Sequence, residues 1–150
     1  MVRILAFQTL FQLEGNADLD IAIAVKHALD THEGYEMDLE DETTTRESLL
    51  VEYPELEYAF ILVDGVRDVS GVLDEKIAQY SKGWTIERIN RMDLILLRIA
   101  LYEMTVLSEE IIPSVIALNE SLEIAKLYSD EKSTKFMNGI LSNVVKDTEK

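Results

Sequence analysis

The chain has 150 residues, no cysteine, 47% hydrophobic residues and a formal net charge of −15. That length suits one domain with a core of its own, and the missing cysteines exclude disulfides, thiolate catalysis and cysteine-based zinc sites. Taken as an average, the charge counts against nucleic-acid binding, because affinity for a polyanion comes largely from Lys and Arg neutralising phosphate.

The average hides a local distribution. Residues 33–58 hold ten acids against Arg46 alone, a charge of −9 that leaves −6 for the rest, and residues 126–146 carry four lysines against Asp130 and Glu131. The N-terminal stretch MVRILAFQTLFQLEG is too short, and too interrupted by Gln8 and Gln12, for a signal or membrane segment; with no cysteine, this suits a cytoplasmic protein without contact with a membrane.

In chain order, Ala6, Phe7, Leu10 and Leu13 recur at helical spacing and predict a short amphipathic first helix that ends at Gly15-Asn16. Ile21, Ala22, Val25, Ala28 and Leu29 predict a second helix that fades by Thr31. Residues 31–53 lack sustained periodicity and read as an acidic loop, within which Leu49-Leu50-Val51 docks locally. Pro54 starts one long third helix through Leu56, Ala59, Phe60, Val63, Val66, Val69, Leu73 and Ile77, with Gly65 or Gly71 as its bend. Lys82-Gly83 ends it, Trp84 plugs the junction, and Thr85 caps the next helix. From Ile86 to Leu107 apolar residues surround the axis, as in a central buried helix. Pro113 opens a helix with two apolar sides, one of them formed by Ile116, Ile124, Leu127 and Tyr128. Ser129-Asp130 caps a last helix with Met137, Ile140, Leu141 and Val144 on its core face, and the tail after Asp147 frays. The expected fold is all-α: two packed helical subdomains of about three helices each, residues 1–81 and 84–147, in a single domain over residues 1–150.

Catalytic chemistry is hard to place on this pattern. His27 and His32 are five apart, which turns them to different helix faces and predicts surface histidines, not a metal pair. Glu120 and Glu123 read as helix-surface acids, since no nucleophile, glycine-rich phosphate loop or serine elbow accompanies them. Arg98 and Glu103, inside LLRIALYEM, predict an internal ion-pair network, because burying an unpaired charge costs several kcal/mol. No enzyme or metal site is expected.

The last helix carries a binding pattern. At about 100° per residue, Lys132, Phe136, Gly139 and Asn143 share a stripe at the edge of the core face, with Lys135 further out. An aromatic ring ringed by lysines, an amide and a glycine suits stacking on a base with cations on the phosphates. The same spacing also fits a Phe136 that only completes the core edge. Gln8 and Phe11, at the edge of the first helix's stripe, form a second candidate.

The segments RILAFQTLFQ, LVDGV, WTIERINRMDLILLRIALYEM and IIPSVIALNESLEIAKLYSDEKSTKFMNGIL, in this order and over nearly the whole chain, resemble the NusB family of bacterial transcription antitermination factors. The resemblance implies an all-helical fold of two subdomains, no cofactor, and binding of single-stranded boxA RNA of ribosomal RNA leader transcripts together with NusE, a ribosomal protein, in an antitermination complex on RNA polymerase. Position by position it implies RNA-facing roles for Arg3, Phe11, Asp93 and the Lys132–Phe136 region. Two features depart from the family pattern. Only Met1, Val2 and Arg3 stand where an arginine-rich arm is usual, which implies weak RNA binding by the chain alone, and the acidic segment is long and is expected on the side away from the stripe.

Other readings fit the same residues. A protein-interaction module could hold NusE through Ile116, Ile124 and Tyr128 with little RNA binding of its own, and a homodimer through that surface is a third reading. The same fold occurs fused to ribosomal RNA cytosine methyltransferases, but this length leaves no room for a catalytic domain.

Overall fold

The computed structural model describes residues 1–33, 44–107 and 112–148. Its helices are α1 (Val2–Gly15), α2 (Ile21–Glu33), α3 (Arg46–Glu52), α4 (Leu56–Asp68), α5 (Ser70–Tyr80), α6 (Arg91–Thr105), α7 (Ser114–Tyr128) and α8 (Glu131–Thr148), with a 3-10 turn at Ile86–Arg88. Among the described residues there is no strand, as the apolar periodicity predicts. The helices form two compact units, Met1–Asp64 and Gly65–Lys150. The division falls within α4 and not at the predicted junction near residues 81–84, because α5 packs on α6 and α8 and so belongs with them.

In the first unit α1 lies against α2. Leu5, Ala22, Val25, Ala28, Leu29, Leu49, Leu56 and Phe60 form one apolar cluster, and the Gln12 side-chain amide donates to the Ala24 carbonyl at 3.0 Å across the helix pair. The predicted loop 31–53 is corrected at both ends. α2 continues to Glu33, and residues 46–52 are helical because Thr45 and Ser48 cap them reciprocally: Ser48 N–H donates to Thr45 Oγ1 at 3.1 Å and Thr45 N–H to Ser48 Oγ at 3.0 Å. Leu49, 3% exposed, anchors this helix in the core. Arg46 makes a two-pronged ion pair with Asp64 at 2.7 and 3.2 Å and lies 4.5 Å above the Phe60 ring. Half of the acids of segment 33–58 fall in residues 34–43, outside the described residues, and so does the expected placement of that segment.

The expected single helix 54–77 is two helices, broken at Val69 (φ −118°, ψ 22°) in the second unit and not bent at either glycine. The apolar spacing runs across the break, with Val66 and Leu73 both buried, so periodicity alone conceals it. Gly65 serves a close approach instead: a β-carbon there would sit 2.1 Å from Tyr102 Cζ of α6. The expected helix 86–107 also divides, because Asn90 and not Thr85 supplies the cap, its side chain accepting from Met92 N–H at 2.8 Å. α6 is central, with Ile95, Leu96, Leu97, Ile99, Ala100 and Leu101 all at 1% exposure or less. Glu103 is fully buried, and Arg98 pairs with Asp74 through Nε at 2.8 Å and Nη2 at 2.9 Å, joining α6 to α5 as expected of an internal ion pair. α8 runs to Thr148; the expected fraying beyond it lies outside the described residues. Among the described residues no helix is long and apolar enough to cross a membrane.

Candidate nucleic-acid interface

The turn between α5 and the 3-10 turn decides where the chain's single tryptophan points. Ser81, 3% exposed, lies with its hydroxyl 2.9 Å from the Trp84 carbonyl and 3.3 Å from that of Ala78, and Trp84 N–H donates back to the Ser81 carbonyl at 3.3 Å. Lys82 (φ 41°) and Gly83 (φ 91°) both adopt left-handed backbone, which reverses the chain within two residues. Trp84 is thereby carried outward, 48% exposed, and does not plug the junction. Its ring lies 5.7 Å from that of Phe136, tilted by 56°. Phe136, half-buried at the edge of α8's core face, is the residue predicted to sit there.

The Trp84–Phe136 pair forms a ridge between two grooves. The first, about 220 Å³, is lined by Arg88, Asn90, Asp93, Asp130, Lys132 and Ser133 beside the two rings. The second, about 300 Å³, is lined by Tyr80, Lys82, Lys135, Gly139 and Asn143 among others. Lys82, Arg88, Lys132 and Lys135 are all exposed, two to each groove. A β-carbon on Gly139 would meet open space, so nothing of the protein occupies that flank.

The acids nearby are engaged in building the frame. Asp93, 3% exposed, accepts from Ser129 Oγ at 2.8 Å. Asp130 caps α8, its carboxylate accepting from Ser133 N–H at 2.8 Å, and this bond holds its carboxyl below the ordinary carboxylate range. Glu131 reaches Lys135 at 3.3 Å, but both side chains are more than three-quarters exposed, so water and salt weaken the pair. The Tyr80 hydroxyl donates to Asp147, which favours the protonated phenol and raises its pKa.

The stripe of Lys132, Phe136, Gly139 and Asn143, with Lys135 beside it, therefore assembles on one surface, and Asp93 joins it as a buried wall of the first groove. Arg3, Gln8 and Phe11 belong to α1 in the first unit. There Phe11 is 41% exposed and 6.4 Å from the Phe7 ring, Gln8 is half-buried, and the Arg3 guanidinium lies 5.6 Å from the Tyr58 ring centre. The set Ile116, Ile124 and Tyr128 does not form one exposed side. Ile124 is only 5% exposed, because α7 packs against both α6 and α8 and that position faces inward; Tyr128 is half-buried and Ile116 is 48% exposed. The exposed apolar positions on α7 are Val115, Ile116 and Leu127. As members of the site, Trp84, Lys82 and Arg88 escaped the sequence reading, which gave Lys82 and Trp84 only structural roles at the helix end. Their signal was a large aromatic directly after a Lys-Gly helix stop, flanked by basic residues and outside any apolar period. Among the described residues no cluster of His, Cys, Asp or Glu could hold a metal.

The NusB family model matches residues 1–146. A Staphylococcus aureus transcription antitermination protein NusB is 40% identical over 147 residues, covering 96% of this chain and 95% of its own. The crystal structure of T. maritima NusB superposes with a TM-score of 0.73 at 31% identity, covering 97% of this chain and 89% of its own. A chain of the crystal structure of antitermination factors NusB and NusE in complex with dsRNA shares the fold, with a TM-score of 0.70 at 23% identity and coverage of 97% and 94%. The chain belongs to the NusB family, whose members are transcription antitermination factors and not enzymes.

Proposed function

We propose that this chain supports ribosomal RNA transcription in the bacterial cytoplasm by binding single-stranded boxA RNA together with NusE, as part of an antitermination complex on RNA polymerase. The observation that carries the reading is the half-buried ring of Phe136 between two cation-edged grooves, on a chain whose average charge is strongly negative. Phe136 stacks on a base while Lys132 and Lys135 neutralise phosphate, and Asn143 supplies an amide to a base or sugar edge. Asp93 positions the first groove. Arg3, Gln8 and Phe11 contribute a second contact from α1. The related assembly of NusB and NusE with dsRNA supports NusE and RNA as partners; the preference for a single strand rests on the ring of Phe136 between the grooves. Phe136→Ala weakens boxA binding by about tenfold or more in a fluorescence anisotropy titration, with helicity by circular dichroism unchanged; unaltered affinity removes Phe136 from the site.

A second reading rests on the exposed apolar positions of α7. Ile116 and Leu127 lie eleven residues apart, close to one line along the helix, and with Glu120 and Glu123 between them they present an acidic, apolar face. That face suits a basic protein partner such as NusE, with RNA held mainly by the complex. Pull-down of NusE by the wild type and by Ile116→Asp, with and without RNA, separates the two readings; sedimentation of the chain alone tests the homodimer.

A further inference from the structure

Trp84 has no partner in the apolar periodicity of the chain, yet its backbone turn is closely specified: a buried serine, two left-handed residues and three hydrogen bonds through Ser81, of 2.9 to 3.3 Å, fix its direction. A ring that only covered Phe136 would not need half of its own surface in water. Its 48% exposure borders both grooves. On each flank of the ridge stands a cation the sequence stripe did not contain, Arg88 in the first groove and Lys82 in the second. The carboxylates of the first groove are held by Ser129 and by the start of α8, and no carboxylate lines the second.

We propose that Trp84 is a second base-stacking ring, and that with Phe136 it forces two neighbouring bases of a bound RNA strand apart, one on each flank of the ridge, with Arg88 and Lys82 taking the phosphates on either side. The proposal rests on the RNA-binding reading above and adds to it what the site selects. Bases resting on two rings tilted by 56° cannot stay parallel, so the strand must give up one stacking step at the ridge. A single strand gives up that step at small cost. A continuous duplex would have to unpair as well, which costs a few kcal/mol more, so the ridge discriminates against paired RNA by its shape, without reading a base edge.

Because Trp84 is the only tryptophan, its emission reports this contact directly. The full chain is titrated with a single-stranded boxA oligoribonucleotide carrying a terminal dye, alone and with NusE, following dye anisotropy and indole emission together; the Trp84→Phe complex supplies the emission background. Indole quenching is expected to track anisotropy, Trp84→Ala to weaken binding by about fivefold or more, and Trp84→Phe, which keeps a ring, to recover most of the loss. The same oligonucleotide annealed to its complement is expected to bind more weakly and to leave the emission unchanged. If anisotropy reports binding while the indole is silent and Trp84→Ala binds like the wild type, Trp84 is a packing residue and the RNA-binding reading survives without it. If the duplex quenches Trp84 as strongly as the single strand, the splaying of bases is overturned. If no arm shows a change in anisotropy, the RNA-binding reading fails and this inference with it.

Discussion

Replacing Gly65 by alanine tests the packing of the second unit against the ordinary preferences of a helix. Alanine is favoured over glycine inside a helix by about 1 kcal/mol, and Gly65 lies well inside α4, so local propensity predicts a stabilised protein. Packing predicts the opposite. The added carbon would sit 2.1 Å from Cζ, 2.2 Å from Oη and 2.5 Å from Cε2 of Tyr102, where carbon atoms prefer about 3.5 Å. The ring must retreat by roughly 1.4 Å, and at 9% exposure it has little empty space to enter. An overlap of this size belongs near the upper end of the overpacking range, about 3 kcal/mol. After the gain in propensity the net loss is about 2 kcal/mol, which for a chain of this length lowers Tm by about 4–8 °C. Gly71→Ala is the control: a β-carbon there meets nothing within 4 Å, and it should gain about 0.5–1 kcal/mol. Thermal and urea unfolding of both variants, and of Gly65→Ala combined with Tyr102→Leu, measure the coupling. A Gly65→Ala protein at least as stable as the wild type would refute the argument from overlap.

Three further outcomes are expected. Asp74→Asn removes the carboxylate charge facing the mostly buried guanidinium of Arg98 and should cost about 2 kcal/mol in urea unfolding; a neutral result would show that the pair adds nothing over solvated ions. Asp130 has a folded pKa below its unfolded one, because the Ser133 N–H favours the charged carboxylate. Its contribution is therefore complete above the ordinary carboxylate pKa of about 3.9 and is lost as pH falls through the folded value. The stability difference between wild type and Asp130→Ala, followed by thermal melts across pH, should hold at neutrality and shrink in acid; a difference independent of pH would mean the cap does not act through its charge. Lys132→Gln and Lys135→Gln should each flatten the plot of log affinity for boxA RNA against log salt by about 0.7, whereas Phe136→Ala should lower affinity with the slope unchanged.

The helices with strong periodicity could be read from the chain, as could the stripe on α8, because a helix fixes the angular position of each residue relative to its neighbours. Lys132, Phe136, Gly139 and Asn143 needed no knowledge of any other element. What escaped prediction either left no mark on the apolar spacing or depended on contacts between segments. The α4–α5 break at Val69 left the apolar spacing intact, and the capping of α3 by Thr45 and Ser48 was hidden inside an acidic stretch. Trp84 was misplaced because a lone aromatic after a helix stop gives no angular information; its direction comes from the left-handed pair at Lys82 and Gly83. Ile124 was assigned outward because α7 has apolar residues on two sides, and spacing does not tell which side meets α6 and α8.

The bond from Ser129 to Asp93 separates the response to ionic strength of the frame from that of the grip. The frame of the first groove is held by a hydroxyl on a buried carboxylate, an interaction that dissolved ions reach poorly. On the proposed RNA-binding reading, the four exposed cations along the ridge lose their hold on the strand as counterions accumulate. A rise in cellular salt should thus release the strand from a surface that keeps its shape, leaving the protein ready to bind again without any refolding step.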